Sequence, residues 1–127
     1  PRNPGDGRGQ MAELFARDTI RNLRKLRHLK PDLFKGFMDF DQMVFKDGAL
    51  SAKTKALMAV TAAHVTQCMW CIEEHVKRAK ALGAADEEIA EAVFVAMALR
   101  AGGAFAHACI GMAVLEEHKG PGEPPKA

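Results

Sequence analysis

The run Cys68-Met69-Trp70-Cys71, with His64 ahead of it and His75 behind, gathers two of the chain's three cysteines and two of its five histidines into twelve residues. Two thiols three residues apart can close a small disulfide ring or share a metal ion. An imidazole four residues past the second thiol lies on the same face when the segment is helical. Because the thiolate is the nucleophile, an imidazole that takes up the thiol proton turns such a pair into a reactive one. A cysteine within a helix is often only a small buried apolar side chain. Flanking histidines at helical spacing argue for chemistry instead.

The same four side chains, His64, Cys68, Cys71 and His75, also form a Cys2His2 donor set of a kind suited to Zn(II). Four ligands within twelve residues of mostly helical chain converge poorly on a tetrahedron, so the redox reading is preferred and neither a metal nor another cofactor is expected. Cys109 has no partner nearby in sequence and is expected to be a buried small apolar residue. His107 could point toward the thiols, although a structural histidine is its plainer reading.

Eighteen Lys and Arg against sixteen Asp and Glu leave a net charge of +2, which argues against a polyanionic partner. The basic stretch Arg17, Arg21, Arg24, Lys25, Arg27, His28 and Lys30 is read as a solvated helix face, since no aromatic side chains are interleaved with it to stack on bases. Apolar residues make up 48% of the chain, Tyr is absent, and β-branched runs are few. That usage favours an all-α fold. No apolar run approaches the roughly 20 residues of a membrane span, and the polar, breaker-rich start is unlike a signal peptide. With an odd cysteine count, these features place the chain in the cytoplasm and make a structural disulfide framework unattractive.

The elements that must hold the pair follow from periodicity and capping. Residues 1–10 and 119–127 read as loose ends around one helical domain, 11–118. A first helix spans Met11 to Leu29. Pro31 ends it and opens a second, in which Leu33, Phe34, Phe37, Met38, Phe40, Met43, Val44 and Phe45 form a broad apolar face. Asp47-Gly48 is a turn, and Ser51 caps a third helix through Leu57, Met58, Val60 and Val65. A helix running unbroken to Leu82 would be too long, so Thr66 is expected to act as an N-cap and place Cys68 in the first turn of a fourth. Gly83 ends that helix. Asp86-Glu87-Glu88 starts a fifth, and Gly102-Gly103 should break it before a sixth, Ala104 to about His118. Six short helices with such wide apolar faces exceed what one small protomer buries, so a homo-oligomer is expected.

The stretch from Leu50 through Gly103 resembles the carboxymuconolactone decarboxylase family, and within it the AhpD-like (alkylhydroperoxidase-like) branch. The resemblance is carried by CxxC with a histidine four residues on, a basic Ala-rich helix ending in Gly, and an acidic D-E-E-I helix start. It implies an all-α fold, trimers or hexamers, and peroxide reduction by a CxxC pair. Carried over residue by residue, it puts the peroxidatic cysteine at Cys71, its partner at Cys68 and the relay histidine at His75. Two positions depart from the pattern. A glutamate expected twelve residues before the first cysteine is Ala56, and a histidine expected between the cysteines is Trp70. His64 is the candidate stand-in, since 56, 60, 64 and 68 share a helix face if the helix persists that far.

The expected activity is therefore a thiol-dependent peroxidase or disulfide oxidoreductase acting on a small peroxide or disulfide, recharged by a thiol reductant. Helix-dipole reasoning favours Cys68 as the attacking thiol, whereas the resemblance and His75 favour Cys71. Ala56 and Trp70 keep a non-catalytic oligomer of the same family open as an alternative. Decarboxylation of a carboxylated lactone fits less well, because it leaves the CxxC pair unexplained.

Overall fold

A computed structural model of the chain describes residues 16–120 and residue 122. The expected loose N-terminus, the start of the first helix at 11–15 and most of the expected tail fall outside the described residues. Among those described, the fold is all-α with no strand. A 3-10 segment, Arg17–Asn22, runs into α1, Leu23–Leu29; then follow α2, Pro31–Val44, α3, Ala52–Thr66, α4, Met69–Ala81, and α5, Asp86–Glu117.

Local chemistry explains most boundaries. Pro31 sits at the start of α2, where its missing N–H costs nothing. Ser51 Oγ accepts the Thr54 N–H at 3.1 Å and Asp47 Oδ1 accepts the Ala52 N–H at 2.8 Å, so two orphan donors of α3 are satisfied at once. Gly83, with φ +89°, takes the left-handed position after α4, and the Ala84 N–H reaches back to Ala79 O at 2.9 Å. At the start of α5 the Glu88 carboxylate accepts the Ala85 N–H at 2.8 Å and pairs with Lys53 at 2.9 Å. Both contacts hold its pKa below the usual carboxylate value, the backbone hydrogen bond first.

The core lies where α3 meets α4 and α5. Its buried members are Ala56, Val60, Ala63, Ala79, Ala84, Ala92 and Ala96. Val60 is the one large side chain among them, so the helices approach on alanine faces and the register of α3 against α4 is set at short range. Thr61 Oγ1 donates to Ala92 O at 2.8 Å, and Arg100 donates to Val65 O at 2.7 Å; both tie α5 to the C-terminal half of α3. The α1–α2 pair packs mainly on itself. Leu26, Leu29, Leu33, Phe37, Phe40 and Met43 remain exposed, as do the basic side chains from Arg21 to Lys30.

Three expectations are corrected. Gly102-Gly103 do not break a helix: α5 runs unbroken for 32 residues. Each glycine costs about 1 kcal/mol relative to alanine, too little to interrupt a segment that runs Met97-Ala98-Leu99-Arg100-Ala101 before the pair and has alanine at every second position from 104 to 108 after it. Among the described residues the helices thus number five plus a 3-10 segment, not six. The continuous helix is also long and apolar enough to cross a membrane by length and composition, and little of it is buried. Only its first third enters the core. From Met97 to Glu117 every residue is exposed in the single chain, Phe105 by 81%. Cys109 is among them, exposed and not buried, its Sγ donating to Ala106 O at 3.1 Å.

Candidate active site

The cysteine pair sits in the joint between α3 and α4. Thr66 is the last residue of α3 and does not cap α4 as expected. Gln67 reverses the chain in the left-handed region, φ 56°, and the N-cap of α4 is Cys68 itself. Cys68 N–H donates to Ala63 O at 3.1 Å, which closes the turn. Cys68 and Cys71 are joined by a disulfide with a Cα–Cα distance of 5.2 Å. In addition, the Cys71 N–H points at Cys68 Sγ, 3.3 Å away. When the bond is open, that N–H and the helix N-terminus both favour negative charge on Cys68.

His75 follows Cys71 by one turn, on the face that meets the α2–α3 connection. Phe45, just past α2, stacks on its ring with centroids 5.0 Å apart and planes inclined by 29°. The Arg78 guanidinium lies over the same phenylalanine, 4.6 Å from its centroid. Burial pushes the His75 pKa below 6.5, and the Arg78 charge lowers it further; Glu74 and Asp41 pull the other way. The imidazole is accordingly neutral at pH 7, the form that can accept a proton. Its Nδ1 is buried and has no hydrogen-bond partner among the described residues, and the same holds for Trp70 Nε1 and Arg78 Nη1.

Cys71 and His75 open onto a cleft of about 620 Å³. Its floor is the α3 face carrying Lys55, Met58, Ala59, Ala62, Ala63 and Thr66, and its far wall is Val44, Phe45 and Leu50. The lining is apolar apart from a few polar groups, the usual build of a small-molecule site. Cys68 does not line it.

The remaining sequence candidates lie elsewhere. The helix ends at Thr66, so Cys68 does not continue the 56–60–64 face. Ala56 and Val60 on that face are fully buried, and His64 is half-buried, its Nδ1 2.7 Å from Val60 O. His107 is exposed on α5 with its Nδ1 2.8 Å from Gly103 O. No three His, Cys, Asp or Glu side chains among the described residues are placed to hold a metal ion, so His64, Cys68, Cys71 and His75 do not converge as a Cys2His2 set. Arg78 went unnoticed in the sequence, and Phe45 was read only as part of an apolar face. Arg78 lies three residues after His75, a spacing that puts it on the same helix face; nothing local in the sequence marks Phe45 as the ring that meets both.

Residues 31–113 match the carboxymuconolactone decarboxylase family. The chain belongs to that family. A Paracoccus denitrificans relative, described as uncharacterized protein 4 in the cox locus, is 55% identical over 84 residues, or 66% of this chain and 76% of its own. Among solved structures, a carboxymuconolactone decarboxylase family protein from Legionella pneumophila is 35% identical with a TM-score of 0.62, covering 79% of this chain and 89% of its own. A family member from Thermotoga maritima, for which a part in an antioxidative response has been suggested, is 37% identical with a TM-score of 0.52, covering 66% and 87%.

Proposed function

We propose that this family member is a thiol peroxidase of the AhpD-like branch. The observation that carries the reading is the pair at the N-terminus of α4, with Cys71 and His75 lining the apolar cleft while Cys68 stays behind them. Neutral His75 takes the Cys71 proton. The thiolate attacks the terminal oxygen of a hydroperoxide, the O–O bond breaks, and the leaving alkoxide receives the proton from His75 to depart as an alcohol. Cys68 then attacks the Cys71 sulfenic acid, releasing water and forming the disulfide. An external dithiol restores the pair and is itself oxidised. It attacks at Cys71, which faces the cleft, and Cys68 leaves as the thiolate favoured by the Cys71 N–H and the helix dipole.

The exposed length of α5 and the exposed α1–α2 face support a homo-oligomer, which the family resemblance makes a trimer or hexamer. Gly102, Gly103, Ala104, Ala106, Ala108 and Gly111 allow a neighbouring helix to approach closely. A monomer mass by light scattering at micromolar concentration, without detergent, refutes this assembly.

Peroxide consumption tests the chemistry. Cys71→Ser should abolish it, and mild oxidation should close Cys68–Cys71 before Cys109 reacts, as read by mass mapping. A Cys71→Ser protein as active as wild type overturns the reading. The second reading, a non-catalytic family oligomer, is favoured by one observation: Ala56, where the branch places a glutamate, is fully buried among alanines.

A further inference from the structure

The cleft has direction. Lys55 lines one end, and Thr66, where the chain turns toward Cys68 and α4, lines the other. Eleven residues separate them, about 16 Å along a helix rising 1.5 Å per residue. Between them the floor is Met58, Ala59 and Ala62, and the wall includes Val44 and Leu50, all apolar. Lys55 is half-buried. Its ammonium donates one hydrogen bond, to Lys46 O at 2.6 Å, and no carboxylate among the described residues pairs with it. An ammonium carries three donors, so two remain for a ligand at that end of an otherwise apolar groove.

We infer that the cleft takes an amphiphilic carboxylate: a fatty-acid hydroperoxide whose carboxylate meets Lys55, whose chain lies along the α3 face, and whose O–O bond reaches Cys71. Carbon–carbon bonds of about 1.5 Å advance an extended chain by about 1.25 Å each, so a floor of about 16 Å accommodates a chain of up to about thirteen carbons. A cleft of about 620 Å³ falls within the usual range for small-molecule sites. Lys55 is then the residue that determines specificity. It selects an anionic head group at a set distance from the thiol and takes no part in the sulfur chemistry. The inference rests on the peroxidase reading for its reactive end, but its anionic end can be tested without any turnover.

The test uses the full chain in its native assembly, as wild type and as the inert Cys71→Ser variant. Binding of dodecanoate, methyl dodecanoate and hexanoate is measured by calorimetry. Dodecanoate should bind about tenfold or more tighter than either of the others, the scale of one charge-assisted hydrogen bond or of several lost methylenes. Lys55→Gln should erase the preference for acid over ester, and Lys55→Arg should keep it. Equal binding of acid and ester by the wild-type protein overturns the inference without recourse to any variant, as does a preference that survives Lys55→Gln. With a twelve-carbon hydroperoxy acid and its methyl ester, the acid should show the higher kcat/KM through a lower KM. If dodecanoate binds as expected while neither hydroperoxide is consumed, the anionic site stands and the peroxidase reading falls. If both hydroperoxides are consumed equally well, the peroxidase reading stands and the anionic site falls.

Discussion

Replacing Ala56 with glutamate restores the carboxylate that the AhpD-like pattern expects, and the structure sets its energetic consequence. Ala56 is fully buried, packed with Val60, Ala79, Ala84 and Ala92 and flanked by Leu57 and Val76. A longer side chain there costs about 1–3 kcal/mol in overpacking. Glutamine, of nearly the same size, bears that cost too, so the difference between Ala56→Glu and Ala56→Gln isolates the charge. In an apolar core the carboxyl remains protonated in the folded state and ionises only on unfolding. Keeping a group of ordinary pKa near 4.3 protonated at pH 7 costs about 3.7 kcal/mol, at 1.36 kcal/mol per unit, and at pH 5 about 1 kcal/mol. The folded state binds the extra proton, so stability falls as pH rises. Urea denaturation of both variants at pH 5 and 7, at one protein concentration, should therefore show a Glu–Gln gap that widens by about 2.7 kcal/mol. A gap at pH 7 below about 1 kcal/mol refutes the reasoning, because it requires the carboxylate to be ionised in place and paired. The buried, unpartnered His75 Nδ1 and Arg78 Nη1 are the groups to look to in that case.

The depressed pKa of His75 places the acid limb of the peroxidase pH–rate profile below 6.5, with activity retained at pH 7 and lost as falling pH protonates the ring; Arg78→Met removes one of the two causes and should move that limb upward. His64, bonded to its own helix and absent from the cleft lining, should tolerate His64→Ala with an unchanged rate, whereas His75→Ala should lower the rate by about a hundredfold, the usual worth of a positioned base. Gln67→Gly removes a side chain from a left-handed residue and should stabilise the fold by about 0.5–1 kcal/mol in thermal or urea unfolding; a destabilised variant shows that the Gln67 side chain makes up for the strain.

Periodicity and caps were enough to read α2, the Ser51 cap, the Gly83 stop and the acidic start of α5, because each is decided within a turn or two of chain. The CxxC pair with His75 was legible for the same reason. The joint between α3 and α4 misled by two residues: Cys68 serves as an N-cap, a task for which Thr66 is the better local candidate, since Gln67 takes the left-handed turn that glycine usually supplies. The Gly102-Gly103 pair misleads because its cost is small against the helix-forming residues before it and the alanine-rich run after it. The cleft was beyond reach from sequence, since Val44, Phe45 and Leu50 meet the α3 face only through the fold of the 45–51 connection.

The disulfide spans only three residues of chain. Under the chain-entropy relation, closing a loop of four residues restricts the unfolded ensemble by about 1.9 kcal/mol, against about 4.7 for a loop of a hundred. The scaffold around the pair therefore depends less on this bond than it would on one that closed a long loop. Val60 and its alanine neighbours hold α3 against α4 without involving the sulfurs, and the hydrogen bond from Cys68 N to Ala63 O fixes the turn through backbone alone. In the proposed peroxidase cycle, where this bond opens and closes at every turnover, the fold is thereby spared repeated excursions toward unfolding, and the oxidant or reductant it meets sets its electron count and leaves its shape alone.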